Sequence, residues 1–225
     1  MTTLKFVGAI AYLAGVPALC LFLSGNWQWR EGWIFGAWYA ALCGLCLGWL
    51  YFKDPALLAE RFRKPGTGGE TRSDMVLLLG IKLGCIAWLL VPPLDVRFGW
   101  TPHLPRLCEI AGGILLLPAG FFFFRAFTDN PYLSQLVRIQ AERGQRVVDT
   151  GVYGVVRHPM YLGAGLMFLG SPLLLGSLAG LLVGLGVILL LVVRIFGEEE
   201  LLVHDLDGYR AYRQKVRYRL LPRLW

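Results

Sequence analysis

The stretch Gly151-Val-Tyr-Gly-Val-Val-Arg-His-Pro-Met-Tyr-Leu-Gly163 begins polar and turn-rich and runs directly into a long apolar segment. Arg194 and Glu198-Glu199-Glu200 stand where the next apolar segment ends. Two charged clusters therefore flank one apolar hairpin and face the same side. Ionisable groups placed this way at a membrane face mark a site by default, because their cost near lipid must be met by a function.

Working outward, the rest of the chain has the composition of a membrane protein. Of its 225 residues 56% are hydrophobic, and the mean hydropathy is +0.56. Only 16% are charged, against roughly 25% in a typical soluble domain. Apolar runs near the ~20 residues needed to cross a bilayer recur along the chain. They predict six spans: Leu4–Leu23, Gly32–Phe52, Met75–Pro93, Leu107–Phe124, Met160–Leu175 and Ser177–Phe196. The last two are short and meet at Leu175-Gly176-Ser177, which predicts a tight helical hairpin. The first lacks a small-x-small cleavage site and is expected to remain as an anchor. The expected fold is an all-α, polytopic integral membrane bundle. Residues 1–225 form one membrane domain, with four N-terminal spans in 1–124 and a catalytic region in 125–225.

Charge sets the expected orientation. Of the 22 Lys and Arg residues, Arg30, Arg97 and Arg106 fall on one side and Lys82 and Arg194 within spans. All the others fall on the side that holds both termini. The positive-inside rule makes that side cytoplasmic, in a plasma or inner membrane. The net charge of +7 then calls for anionic lipid headgroups as the counterpart rather than nucleic acid. The five cysteines lie in or at the ends of apolar runs. Cys43 and Cys46 have metal-like spacing, but no second pair or nearby His completes a set, so packing is expected and no metal.

The connecting segments differ in character. Asp54 to Phe62 reads as a short amphipathic helix with Pro55 near its start, a surface-lying connector, and Lys64 to Gly69 as a flexible loop. The segment from Arg125 to Arg157 is too long for an idle connection and too aromatic for disorder. The tail from Leu201 to Trp225 is basic and amphipathic, with Tyr209 and Tyr212 on one face, and reads as a helix lying on the membrane surface. Lys82 either snorkels to the cytoplasmic face or faces a polar cavity. His103 reads as a plain interfacial residue, and Glu109 as a surface partner of Arg106.

The hairpin mouths hold the residues that can carry chemistry. Pro159 suits the first turn of a helix and pushes His158 toward an extended conformation. Arg157 and His158 then project from a fixed approach to a helix N-terminus, whose free N–H groups can hold a carboxylate or hydroxyl. Gly163 and Gly165 permit close approach of a ligand or another helix. A capped helix with glycine packing and a snorkelling Arg is the plainer alternative. Arg194 and Glu198 share a face if the helix continues. Three adjacent carboxylates beside lipid need a cation or hydroxyls to receive them, or else form a solvated helix end.

Asn130-Pro131-Tyr132, Thr150-Gly-Val-Tyr153, Arg157-His-Pro-Met-Tyr-Leu-Gly163, Glu198-Glu199 and Tyr209-x-x-Tyr212 are similar in order and spacing to the isoprenylcysteine carboxyl methyltransferase family. The phospholipid N-methyltransferases share a looser version. The resemblance covers Asn130 to Pro222. It implies a helical membrane enzyme that uses S-adenosylmethionine and acts on a lipid or lipid-linked acceptor. Tyr153, His158, Pro159, Tyr161, Gly163, Glu198 and Glu199 would surround the cofactor. Arg157, Arg194 and Glu198 would serve the acceptor and the reaction. Val152 departs from the Pro that the family often has there.

The residues fit such chemistry in their own right. Methyl transfer from a sulfonium needs mainly a donor and acceptor held at near-attack distance. Carboxylates suit ribose hydroxyls or an ammonium, and an Arg suits a carboxylate acceptor. An amine acceptor would need a nearby base. No glycine-rich loop follows a strand, which excludes a soluble dinucleotide-fold methyltransferase. A membrane NADPH-dependent reductase of the sterol kind, and a transporter or assembly protein, remain as alternatives.

Overall fold

The computed structural model describes residues 3–63 and 72–225. The loop expected over Lys64 to Gly69 lies outside the described residues. Among the described residues eight helices follow in order: α1 Thr3–Ser24, α2 Arg30–Lys53, α3 Pro55–Arg61, α4 Arg72–Phe98, α5 Arg106–Asp129, α6 Pro159–Leu174, α7 Leu178–Asp205 and α8 Tyr209–Lys215. Two 3₁₀ turns, Ala141–Arg143 and Gly151–Gly154, lie between α5 and α6. Among the described residues the chain is all-helical, with only an isolated bridge between His103 and Ser177.

Four helices, α2, α4, α5 and α7, are long and apolar enough to cross a membrane by length and composition. α6 is apolar but shorter, as is the Ala14–Ser24 part of α1. The bundle is apolar on its outside: Phe22, Leu45, Leu79, Leu117, Leu182 and Leu189 are all exposed. Lipid solvates such a surface, so helix association rests on close packing and interhelical polar contacts. Trp88 shows both. Its ring meets Phe35 and Phe168 edge-on at 5.9 and 5.2 Å, and its indole donates to Ser171 Oγ at 2.9 Å.

α5 packs on α6 and α4 on α7. Close backbone approach makes the first contact possible: a Cβ on Gly163 would sit 3.0 Å from both the Ala119 carbonyl oxygen and the Phe123 nitrogen. The hairpin joining α6 and α7 turns at Gly176, whose φ of +72° is left-handed and strained for any side chain. Ser177 Oγ accepts from Gly180 N at 2.9 Å and caps α7. The same hydroxyl donates to Asp95 Oδ2 at 2.6 Å. Asp95 also accepts from Thr101 N and Thr101 Oγ1 at 2.8 and 2.7 Å, so this buried carboxylate at the end of α4 is fully satisfied.

Several local expectations change. His103 Nε2 lies 3.0 Å from Glu109 Oε1, so His103, rather than Arg106, is the partner of Glu109. The His103 ring also fills the space beside Gly176. α3 begins as expected, with Asp54 Oδ1 accepting from Leu57 N at 2.8 Å. It does not merely lie on a surface, however: Leu57 is fully buried in a cluster with Cys46, Leu50 and Phe127. Lys82 is exposed on the outside of α4, the snorkelling alternative. The tail is not one long surface helix. α7 continues to Asp205, α8 spans seven residues, and its Tyr209 and Tyr212 are buried with Val216 against Val147, Leu202 and Leu206.

Candidate active site

At one end of the bundle, the start of α6, the end of α7, α8 and the 130–148 segment surround a partly open cavity. Tyr153, Arg157, His158, Pro159, Tyr161 and Glu198 line it, together with Met160, Tyr209 and Tyr212. Residues separated widely in sequence thus share one wall.

The local backbone explains how. Gly151 turns at φ +58°, and Asp129 Oδ2 accepts from Val152 N at 2.9 Å. The turn is firm although Val152 replaces the expected Pro. His158 has φ −125° and ψ 61°, off the helical region, as the following Pro159 requires. The tail after α8 then returns to this approach. Arg157 N donates to the Tyr218 carbonyl and His158 N to the Arg219 carbonyl, both at 3.0 Å. Tyr212 Oη donates to the Tyr153 carbonyl at 2.8 Å. Burial pushes the hydroxyls of Tyr153, Tyr209 and Tyr212 up, which keeps them neutral hydrogen-bonding groups.

The two predicted acids part company. Glu198 lines the cavity, and its Oε2 accepts from Tyr161 Oη at 2.7 Å. Glu199 points behind the wall and is 3% exposed. Its Oε1 accepts from Arg157 Nε at 2.6 Å and lies 3.2 Å from His158 Nε2, while Oε2 accepts from Arg219 Nε at 2.9 Å. Arg157 also donates through Nη1 to the Val216 and Arg217 carbonyls at 2.8 and 2.7 Å. Its Nε and Nη1 are therefore committed to holding the wall together. Arg219 stacks on Phe196 and Trp225 at 5.0 and 5.3 Å, which ties the tail to α7. Glu200 is exposed.

Besides Glu199, two more predicted residues lie off the cavity wall. Gly163 packs against α5, so its role is close helix contact. Arg194 is 6% exposed, and its Nη2 donates to the Gln135 carbonyl at 2.6 Å. It lies 3.7 Å from Asp74 Oδ1. Although Arg194 and Glu198 are one turn apart on α7, they point to different partners.

The far wall of the cavity was not foreseen. Arg138 grips Glu60 of α3 through Nε and Nη2 at 3.1 and 2.9 Å, and Ser134 Oγ donates to the same carboxylate at 3.0 Å. Arg138 Nη2 also donates to Glu142 Oε1 at 2.7 Å. Burial pushes the Glu60 carboxyl up, but the bonds from Arg138 and Ser134 outweigh it and hold it below its usual range. The Arg138 hydrogen bond brings Glu142 down to about 2. No local pattern marks Glu60 and Arg138 as a pair, since they are far apart in sequence.

Comparison with known proteins bears out the resemblance. Residues 108–206 match the family model described as phospholipid methyltransferase. The chain is 36% identical over 85 residues to the protein-S-isoprenylcysteine O-methyltransferase of Schizosaccharomyces pombe. That alignment covers 37% of this chain and 36% of that protein, so only about a third of the relative's length is matched. The fold is similar to a solved eukaryotic intramembrane Ras methyltransferase, isoprenylcysteine carboxyl methyltransferase. The TM-score is 0.56 at 18% identity, over 92% of this chain and 73% of that one. Residues 108–206, which hold nearly every cavity motif, are thus similar in sequence to the phospholipid methyltransferase family model, and the likeness to the solved structure extends to the fold.

Proposed function

We propose that this protein is an integral membrane methyltransferase that moves a methyl group from S-adenosylmethionine to a lipid-embedded acceptor, with a carboxylate favoured. One observation carries the reading: Tyr153, His158, Pro159, Tyr161 and Glu198 line a single cavity. The relatives act on isoprenylcysteine by their names, which supports an acceptor of that chemistry.

The lining suits the cofactor. The Glu198 carboxylate can accept from ribose hydroxyls or an ammonium, and Tyr153, Tyr209, Tyr212 and Met160 offer flat or polarisable surface for a purine. When bound, S-adenosylmethionine supplies an electrophilic methyl on a sulfonium. The chain's part is positioning. Tyr161 orients Glu198 by its hydrogen bond. Glu199 holds Arg157, His158 and Arg219 in register behind the wall, so it acts through them. Arg157 positions the 157–158 approach, Gly163 brings α6 onto α5, and Arg194 stands on the acceptor side. A carboxylate acceptor is already ionised at neutral pH and needs no base, which fits a site whose His158 is tied to Glu199.

In the membrane we assign six spans, with α1 and α6 added to the four long helices. Both termini and the cavity face the cytoplasm, beside anionic headgroups. Titration calorimetry of the purified full chain tests the reading. S-adenosylhomocysteine should bind and NADPH should not; the reverse result would replace it with the reductase reading.

A further inference from the structure

A second, more open groove lies on the outer side of α7, back to back with the cavity. Phe196, Glu200 and His204 of α7 line it, with Arg210 and Arg213 of α8 and Arg219 of the tail. Its guanidiniums are only partly used. Arg213 is exposed and has no acid partner among the described residues. Arg210 Nε reaches the Val203 carbonyl at 3.4 Å. Arg219 spends its Nε on Glu199, a carboxylate it shares with Arg157. The acids that face the groove are this shared Glu199 and the exposed Glu200, while His204 lies against Asp205. A positive surplus therefore remains whether or not His204 is protonated.

The groove continues into an apolar track. Leu182, Leu185, Leu189 and Val193 are exposed. They follow one another at three- and four-residue steps, so they share the α7 face that ends in Phe196 and Glu200. The arginines stand at the cavity end of that face. We infer that this face of α7 and α8 binds an anionic glycerophospholipid of the surrounding leaflet. Its phosphate lies among Arg210, Arg213 and Arg219, and its chains run along Leu182, Leu189 and Phe196. Guanidiniums hold phosphate oxygens by charge-assisted, often paired hydrogen bonds. Basic pockets beside spanning helices take anionic headgroups in the same way. A free phosphate ion would use the arginines but not the track, and the track selects the lipid. None of the three arginines lines the cavity, so this lipid is a bound partner and not the methyl acceptor.

Native mass spectrometry of the full chain, released from micelles holding equal phosphatidylglycerol and phosphatidylcholine, tests the site without turnover. Phosphatidylglycerol carries one phosphodiester charge and no amine. The wild-type protein should retain one phosphatidylglycerol with a preference of about twentyfold or more, roughly fivefold for each of Arg210 and Arg213. Arg210→Gln and Arg213→Gln should each remove about that fivefold, and Arg213→Lys should keep part of it. Arg217→Gln, exposed on the same tail but outside the groove, should leave the preference unchanged. Neither excess glycerol 3-phosphate nor saturating S-adenosylhomocysteine should displace the lipid. Equal retention of the two lipids by the wild type would overturn the site, whether or not any variant folds. An equal loss in Arg217→Gln would replace it with diffuse surface charge. Displacement by glycerol 3-phosphate would overturn the choice of a lipid, and displacement by S-adenosylhomocysteine would place the lipid in the cavity instead.

Discussion

Glu199 receives two guanidiniums and an imidazole while buried behind the cavity. Removing one partner of a buried ionic group leaves the others desolvated and unpaired, at a cost of roughly 3–5 kcal/mol. Glu199→Gln should therefore lower the thermal midpoint and weaken S-adenosylhomocysteine binding more than tenfold. Glu200→Gln, at an exposed position, should change neither; equal losses at both positions in a thermal-shift and calorimetry series would point to a general charge effect. The two acids were legible as a pair. Their division of labour was not, because Arg219 reaches Glu199 only after the tail has turned back along Arg157 and His158. The Glu60–Arg138–Glu142 cluster carries a pH signature. Its carboxyls are held below their unfolded values, so the stabilisation is complete above about pH 5 and fades as pH falls through roughly 4 toward 2. Unfolding midpoints measured down that range should show this acid limb, and Arg138→Gln should flatten it.

Helix positions were readable because apolar runs, Pro55 and Pro159 at helix starts and Gly176 at the hairpin all act locally. Two elements were not. The 130–148 segment has weak periodicity and becomes a wall only by gripping Glu60 of α3. The tail carries a helical pattern of Tyr and Arg, yet it stops after α8, where Tyr218 and Arg219 supply carbonyls to Arg157 and His158. Gly163 shows how one residue type serves two readings. Glycine near a ligand and glycine between helices look the same in sequence, and here α5 occupies the space. Gly163→Ala should force α5 and α6 to shift and cost about 1–3 kcal/mol, the usual range for overpacking. Chemical denaturation would measure it, and a neutral result would mean that the contact is looser than 3.0 Å.

The whole molecule is polar at both ends for different reasons. One end holds the cavity with its charged walls. The other holds Asp95, bound by Thr101 and Ser177, which is a fully satisfied structural cluster. The charge bias along the sequence points to the first end as cytoplasmic, but nothing local marks the second, because Thr101 and Ser177 meet Asp95 only in the fold. With the five cysteines replaced, single cysteines at Pro102 and Gly208 should label from opposite membrane faces. Labelling from the same face would remove the six-span arrangement.

The most direct test of the cavity as the cofactor site is ultraviolet cross-linking of methyl-labelled S-adenosylmethionine to the full chain, with the labelled peptides mapped by mass spectrometry. The label should fall within Tyr153–Tyr161 or Leu201–Tyr212, the two cavity faces richest in aromatic side chains, and excess S-adenosylhomocysteine should suppress it. Label confined to α1, α2 or α4, or indifferent to that competitor, would contradict a cofactor site between α6, α7 and α8.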